Sequence, residues 1–225
     1  MITILRSEDG TDTLMSDRFG VSYHSMHGAL HESITVFLSA GLHFAIQRLQ
    51  QPLKVFEMGL GSGLNALLTY AESVHFQCRI FYTAIELFPL SGDLISSLNF
   101  NEIPELHKHN DVLITIHKVS PGSYHSLLPD FHFRVFHDDI LKWETSDLFH
   151  VIYYDAFAPN TQSELWTEEL MLKMYRMLEP GGVLVSYCAK GSFKRALRAA
   201  GFEVEPLPGP NKKREMTRAI KLHNI

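Results

Sequence analysis

The chain has 225 residues, 45% hydrophobic and 20% charged, which is ordinary globular composition with room for a core that is stable without crosslinks. Its two cysteines, Cys78 and Cys188, lie far apart in apolar segments and read as buried thiols rather than metal ligands; no metal is expected. A formal net charge of −5 argues against a protein coated in nucleic acid, Arg6, Glu8, Asp9 and Asp12 interrupt any signal-like run, and no stretch is expected to reach the length of a membrane span, so a cytoplasmic protein without membrane contact is expected.

The first thirty residues are polar and turn-like, with Asp9-Gly10 as a turn and a short hairpin through 11–14 and 21–24. Residues 31–49 carry Ile34, Phe37, Leu38, Leu42, Ala45, Ile46 and Leu49 at helical spacing, and Pro52 closes the helix. A strand at 53–56 runs into a glycine loop and a helix over 64–73. A strand over 79–85 and a helix over 90–98 follow. The polar stretch 101–129 is expected to hold short helices at 103–107 and 120–128. Strands are expected at 131–137 and 151–154, then an amphipathic helix over 167–178 stopped by Pro180-Gly181-Gly182. A buried strand at 183–186, a helix at 193–200 and closing strands at 202–205 and 217–222 complete the chain.

Strands alternating with helices predict an α/β fold, a mostly parallel sheet with helices on both faces. Ligands of such sheets bind at the carboxyl ends of the strands. The positions that matter are therefore Glu57, Glu86, Asp139 and Asp155, each at or just past the end of a predicted strand.

The glycine loop reads Glu57-Met58-Gly59-Leu60-Gly61-Ser62-Gly63-Leu64-Asn65. A nicotinamide turn would space its glycines Gly-x-Gly-x-x-Gly and set a helix N-terminus against a pyrophosphate. Here the spacing is Gly59-x-Gly61-x-Gly63, with an acid two residues before the first glycine. S-adenosylmethionine has no phosphate but carries a sulfonium and an ammonium, and carboxylates beside the turn suit those cations. Glycines let the backbone approach the aminoacyl part closely, with Asn65 opening the helix behind them. Glu86 is placed to accept both ribose hydroxyls. Asp139 is placed for the adenine amino group, although His137-Asp138-Asp139 leaves open which aspartate meets it. The pattern resembles the class I S-adenosylmethionine-dependent methyltransferases, a Rossmann-like fold.

At the end of the fourth predicted strand stands Asp155-Ala156-Phe157-Ala158-Pro159. A carboxylate there can attract a protonated amine and take the proton it loses, and alignment supplies much of the remaining acceleration. Asp155 is therefore the candidate catalytic residue. Phe157 has either a core or a base-stacking role.

This segment, followed by Glu164-Leu165-Trp166-Thr167, resembles the methyltransferase domain of the MnmC family of tRNA wobble-uridine modification. So do Tyr23-His24-Ser25, Leu30-His31-Glu32-Ser33 and the late Lys212-Lys213-Arg214-Glu215-Met216. The resemblance spans nearly the whole chain in the same order. It implies methyl transfer from S-adenosylmethionine to the exocyclic amine of 5-aminomethyl-2-thiouridine in tRNA. It further implies cofactor contacts by Glu57, Gly59, Gly61, Gly63, Asn65, Glu86, Asp138 or Asp139, and more weakly Glu32 and Tyr23. Acceptor or tRNA contacts would come from Asp155, Phe157, Pro159, Lys212, Lys213 and Arg214, the basic cluster meeting phosphates. One domain, 1–225, is expected, with 1–30 as an extension over the cofactor site. The family's flavin-dependent oxidase domain has no counterpart in this sequence, so no flavin is expected, and a separate enzyme would supply the aminomethyl substrate. Two other readings compete: a methyltransferase for a small amine or another RNA, and a non-catalytic cofactor-binding protein.

Overall fold

The computed structural model describes the chain except for residues 105, 211–212 and 224–225. Its centre is an eight-stranded sheet in the order β10-β11-β9-β8-β4-β5-β7-β6. The strands are β4 (Leu53–Met58), β5 (Ile80–Ile85), β6 (His125–Leu128), β7 (Phe131–Phe136), β8 (Phe149–Tyr154), β9 (Leu178–Ser186), β10 (Glu203–Pro208) and β11 (Glu215–Ile220). The inner strands β7, β5, β4, β8 and β9 run parallel, while β6 pairs antiparallel with β7 and β11 with β9 and β10.

Parallel strands buried on both faces need apolar side chains in both directions, and β8 shows this. Val151 and Tyr153 enter one core with Leu53, Val55, Tyr82 and Phe133. Ile152 and Tyr154 enter a second core on the opposite face with Phe56, Phe149, Met174 and Phe193. The first face is covered by α3 (Leu64–His75) and by one long helix, Ala29–Arg48. This long helix comprises α1 (Ala29–Ser33), a wide-turned π-helical middle at Ile34–His43, and α2 (Phe44–Arg48). The second face is covered by α6 (Glu168–Met177) and α7 (Gly191–Ala199).

The Ala29–Arg48 helix corrects one expectation, because it is long and apolar enough to cross a membrane. Its apolar side instead meets the sheet. A Cβ at Gly41 would lie 2.9 Å from the Val185 side chain and 3.2 Å from the Tyr153 ring. Val36, Phe37 and Leu42 are fully buried there.

Three further departures have local causes. Residues 120–128 are not helical: Gly122 sits at φ +93° with its N–H donating to the Val135 carbonyl at 2.9 Å, and β6 pairs with β7 as a hairpin. The helix of this region is α5 (Asn110–Lys118), whose Leu113 and Ile116 are buried. Pro180-Gly181-Gly182 does not end α6 but lies within β9, where the β8–β9 register shifts. Finally, β1 (Ile2–Arg6) precedes the expected hairpin and joins β2 (Asp12–Ser16) and β3 (Val21–Ser22) in a separate three-stranded sheet. A reciprocal pair docks that sheet on the body. Asp12 N–H donates to Asn99 Oδ1 at 2.8 Å, and Asn99 N–H donates to Asp12 Oδ2 at 2.9 Å.

The chain fills β4, β5 and β7 in one direction, then returns to place β8 on the other side of β4. The loops after β4 and β8 therefore diverge at a topological switch point, where open α/β sheets bind ligands.

Candidate active site

The loop after β4 is shaped by its glycines. Gly59 has φ +91°, and a Cβ there would meet the Asp155 carbonyl oxygen at 2.8 Å. Gly63, at φ +80°, is the left-handed residue that starts α3. Only glycine adopts such a conformation without strain while also allowing so close an approach. Between them, the Gly61 N–H donates to Glu86 Oε2 at 2.9 Å. The loop after β4 is thus tied to the end of β5.

Glu57 and Asp155 stand at neighbouring strand ends and share one donor. The Asn65 amide nitrogen, on the first turn of α3, lies 3.0 Å from Glu57 Oε1 and 2.9 Å from Asp155 Oδ2. Burial, then the charge of Asp155, holds the Glu57 carboxyl well above the usual carboxylate range. Burial, then the charge of Glu32, pushes Asp155 up to about 8, opposed by the Asn65 hydrogen bond and Lys213. Glu57 Oε2 and Asn65 Oδ1 are buried without a hydrogen-bond partner. The Tyr82 hydroxyl lies beside Glu57 but outside hydrogen-bond geometry. A buried carboxyl with an unused acceptor oxygen, beside the half-buried carboxyl of Asp155, forms a site prepared for a cation.

A cleft of about 940 Å³, including its open mouth, runs from Asp155 across the strand ends. Along one arm, Ile85, Leu87, Ile140 and Leu141 form apolar walls, with Glu86, Asp138 and Asp139 at their edges. Glu86 Oε1 also accepts the Phe88 N–H at 2.8 Å, so its carboxylate is oriented from both sides. Asp138 is exposed and accepts the Asp139 N–H at 2.7 Å, whereas Asp139 is half-buried and accepts the Leu141 N–H at 3.0 Å.

Along the other arm, aromatic rings surround Asp155. Phe157 lies 4.8 Å from Phe19 and 5.1 Å, edge on, from Tyr23. Burial and the charge of Glu86 push the Tyr23 hydroxyl up to about 12, so it stays a neutral donor. The loop after β8 is anchored by its backbone. Tyr187 donates to the Ala156 carbonyl at 2.8 Å and Trp166 to the Phe157 carbonyl at 2.9 Å. Pro159 is absent from the cleft lining and begins the turn that follows.

The structure brings Tyr23, Glu57, Gly59, Gly61, Asn65, Glu86, Asp155 and Phe157 together and treats the basic cluster differently. The Lys213 ammonium donates to Oε2 of buried Glu32, whose Oε1 accepts the Ser25 N–H at 3.0 Å. Arg214 is exposed, and Lys212 lies outside the described residues. His24 and Phe19 are among the lining residues that sequence reasoning did not single out. His24 is buried with Nε2 3.3 Å from the Ser62 hydroxyl, and Phe19 arrives from the turn between β2 and β3. The histidine was legible only as part of a quoted motif, and no sequence signal marked the phenylalanine.

The donor set fits S-adenosylmethionine: anionic oxygens for its cations, a doubly oriented carboxylate for a diol, and apolar walls for a base. The model of an S-adenosyl-L-methionine-dependent methyltransferase family matches residues 110–222, half of the chain. The chain belongs to this methyltransferase family. It is also 30% identical over 94% of its length to the "tRNA 5-methylaminomethyl-2-thiouridine biosynthesis bifunctional protein MnmC" of Pseudoalteromonas atlantica, covering 32% of that protein. The Leptospira interrogans protein of the same name is 29% identical over 91% of this chain. The methyltransferase thus spans about a third of the curated relatives it matches. Among solved structures, MNMC2 from Aquifex aeolicus superposes with a TM-score of 0.80 at 21% identity, covering all of this chain and 72% of that one. Spermidine synthase from Thermotoga maritima superposes at 0.53 with 15% identity, covering 97% of this chain and 67% of that one. At these identities the two structures establish the fold, the Rossmann-like class I architecture.

Proposed function

We propose that this methyltransferase converts the aminomethyl group of wobble 5-aminomethyl-2-thiouridine in tRNA to methylaminomethyl. The observation that carries the reading is Asp155. It is a carboxylate at the head of an aromatic-walled acceptor loop, held through Asn65 to the cofactor-side acid Glu57. The near-complete span of the match to the tRNA-modifying relatives supports the same reading.

When bound, S-adenosylmethionine supplies an activated methyl group on a good leaving group. In this reading Glu57, Gly59, Gly61, Gly63 and Asn65 hold its aminoacyl part and Glu86 its ribose. Asp138 and Asp139 edge the adenine, and Tyr23 with residues 1–30 of the single domain covers it. Asp155 receives the acceptor as an ammonium and takes one proton. With the cofactor bound, the freed lone pair would take its methyl group, and the product would leave as a secondary ammonium. Phe157 and Phe19 present rings to a uridine already unstacked in a single-stranded loop, where extrusion costs little. Arg214 contacts phosphate. The amine itself comes from a different active site, and the tRNA substrate places the reaction in the cytoplasm.

Incubation with labelled S-adenosylmethionine and tRNA carrying 5-aminomethyl-2-thiouridine, followed by nucleoside mass analysis, tests this. The expected product is 5-methylaminomethyl-2-thiouridine. Equal activity on the free nucleoside or on a small amine would overturn tRNA as the substrate.

A further inference from the structure

Lys213 and Glu32 form an ion pair, and the charges of both act on Asp155. Lys213 precedes β11, and its N–H donates to the Pro210 carbonyl at 2.9 Å. Its ammonium bonds Glu32 on α1 and lies 4.5 Å from the centre of the Tyr187 ring. Tyr187 in turn donates to the carbonyl of Ala156, the residue next to Asp155. A cation bound to a buried carboxylate and seated on an aromatic face is a fixed charge, unlike the solvated lysine that a phosphate contact calls for.

We propose that Lys213 is a positioning residue for methyl transfer: locked on Glu32 and Tyr187, it supplies the positive charge that favours the ionised form of Asp155, the form that accepts the proton of the substrate ammonium. This rests on the reading of Asp155 as the acceptor-side carboxylate. The proton balance is simple. The ammonium gives one proton to the Asp155 carboxylate, leaving a neutral amine and a carboxylic acid. The amine then takes the methyl group. Without a neighbouring cation, three acids would crowd one buried space: Glu57 from β4, Glu32 from α1, and Asp155 itself. Like charges at such distances suppress ionisation.

The groups facing Asp155 are Glu57, Glu32, Lys213, Tyr82 from β5 and Tyr187 after β9. Those facing Lys213 are Glu32, Asp155, Tyr187, His24 and Cys188. After burial, Glu32 raises the Asp155 ionisation point and Lys213 lowers it. Their opposite signs make the assignment separable by mutation.

The test compares wild type, Glu32→Gln, and Glu32→Gln with Lys213→Ala. Two pH profiles are read from each: single-turnover methyl transfer to aminomethyl-modified tRNA, and S-adenosylmethionine affinity by titration. Glutamine keeps an oxygen for the Ser25 N–H, so the fold is preserved. Glu32→Gln should move the rising limb of both profiles toward acid. Adding Lys213→Ala should move both back toward alkaline by about half a unit or more. Lys213→Arg alone should retain the wild-type limb. Limbs that superimpose in the single and double variants overturn the proposal. So does a result in which Lys213→Ala changes only the KM for tRNA and its salt dependence. If wild type methylates no tRNA, the functional reading fails instead, while the affinity profiles still decide the role of Lys213.

Discussion

Asn65 holds Asp155: its side-chain nitrogen lies 2.9 Å from Asp155 Oδ2, and the same nitrogen reaches Glu57 Oε1 at 3.0 Å. One neutral amide therefore couples the carboxyl at the end of β4 to the carboxyl just past the end of β8. Replacing Asn65 with alanine should slow methyl transfer and cost about 1–3 kcal/mol of stability, the usual penalty for leaving buried acceptors unpaired. Chemical denaturation and single-turnover kinetics check the two effects separately.

Asp155→Asn keeps the size of the side chain and removes its capacity to take a proton. Transfer should fall by about 10²-fold or more, the usual range for a lost general base. S-adenosylmethionine affinity should fall much less. Turnover within a few-fold of wild type would remove Asp155 from the chemistry.

Glu86→Ala should behave in the opposite way. It deletes a carboxylate that is oriented by the Gly61 and Phe88 N–H groups at the edge of the cleft. A charged hydrogen bond contributes roughly 1.5–3 kcal/mol, so cofactor affinity should drop by about ten- to a hundredfold. The rate at saturating cofactor should stay near wild type. Isothermal titration paired with kcat measurement distinguishes this from a structural collapse.

Asp155 also makes stability depend on pH. Burial raises its folded ionisation point from 3.8 to about 8. Between those values the folded state binds a proton that the unfolded state has released, so stability falls as pH rises from about 4 to about 8. The slope for one such group is about 1.4 kcal/mol per pH unit. Urea unfolding of the cofactor-free protein at pH 5 and pH 8 should show the loss, and Asp155→Asn should flatten it. Bound S-adenosylmethionine should reduce it too, because its positive charge favours the ionised carboxylate.

Arg214 is exposed in the turn before β11 and has the solvated character expected of a phosphate contact. Arg214→Ala should weaken tRNA binding uniformly across sequences and reduce the slope of log affinity against log salt by about one. An unchanged slope would place the RNA elsewhere on the surface.

The glycine spacing and the acids at strand ends were legible because each depends on a short stretch of chain. A left-handed residue at Gly59 or Gly63 and a carboxylate at the end of an apolar run are local requirements. The strands at 53–56 and 151–154 were equally plain, since burial on both faces demands unbroken apolar runs, and they form the cores of β4 and β8. Residues 120–128 were misread as helix because hairpin pairing with β7 and the left-handed Gly122 outweigh a weak apolar pattern. The basic cluster at 212–214 was read as one surface because three adjacent letters do not record where each side chain goes.

The sequence by itself determined the class of fold, the glycine loop and the carboxylates at the strand ends. All three follow from backbone conformation, strand periodicity and side-chain chemistry within a few residues. Only the tertiary structure decided how distant charges combine. Glu57, Asn65 and Asp155 meet because β8 returns beside β4. Glu32 and Lys213, 181 positions apart, meet beneath the acceptor loop because a buried carboxylate on α1 needs a counter-ion and the turn before β11 brings one. Electrostatic energy depends on distance and burial in space, and neither is a property of any local run of residues.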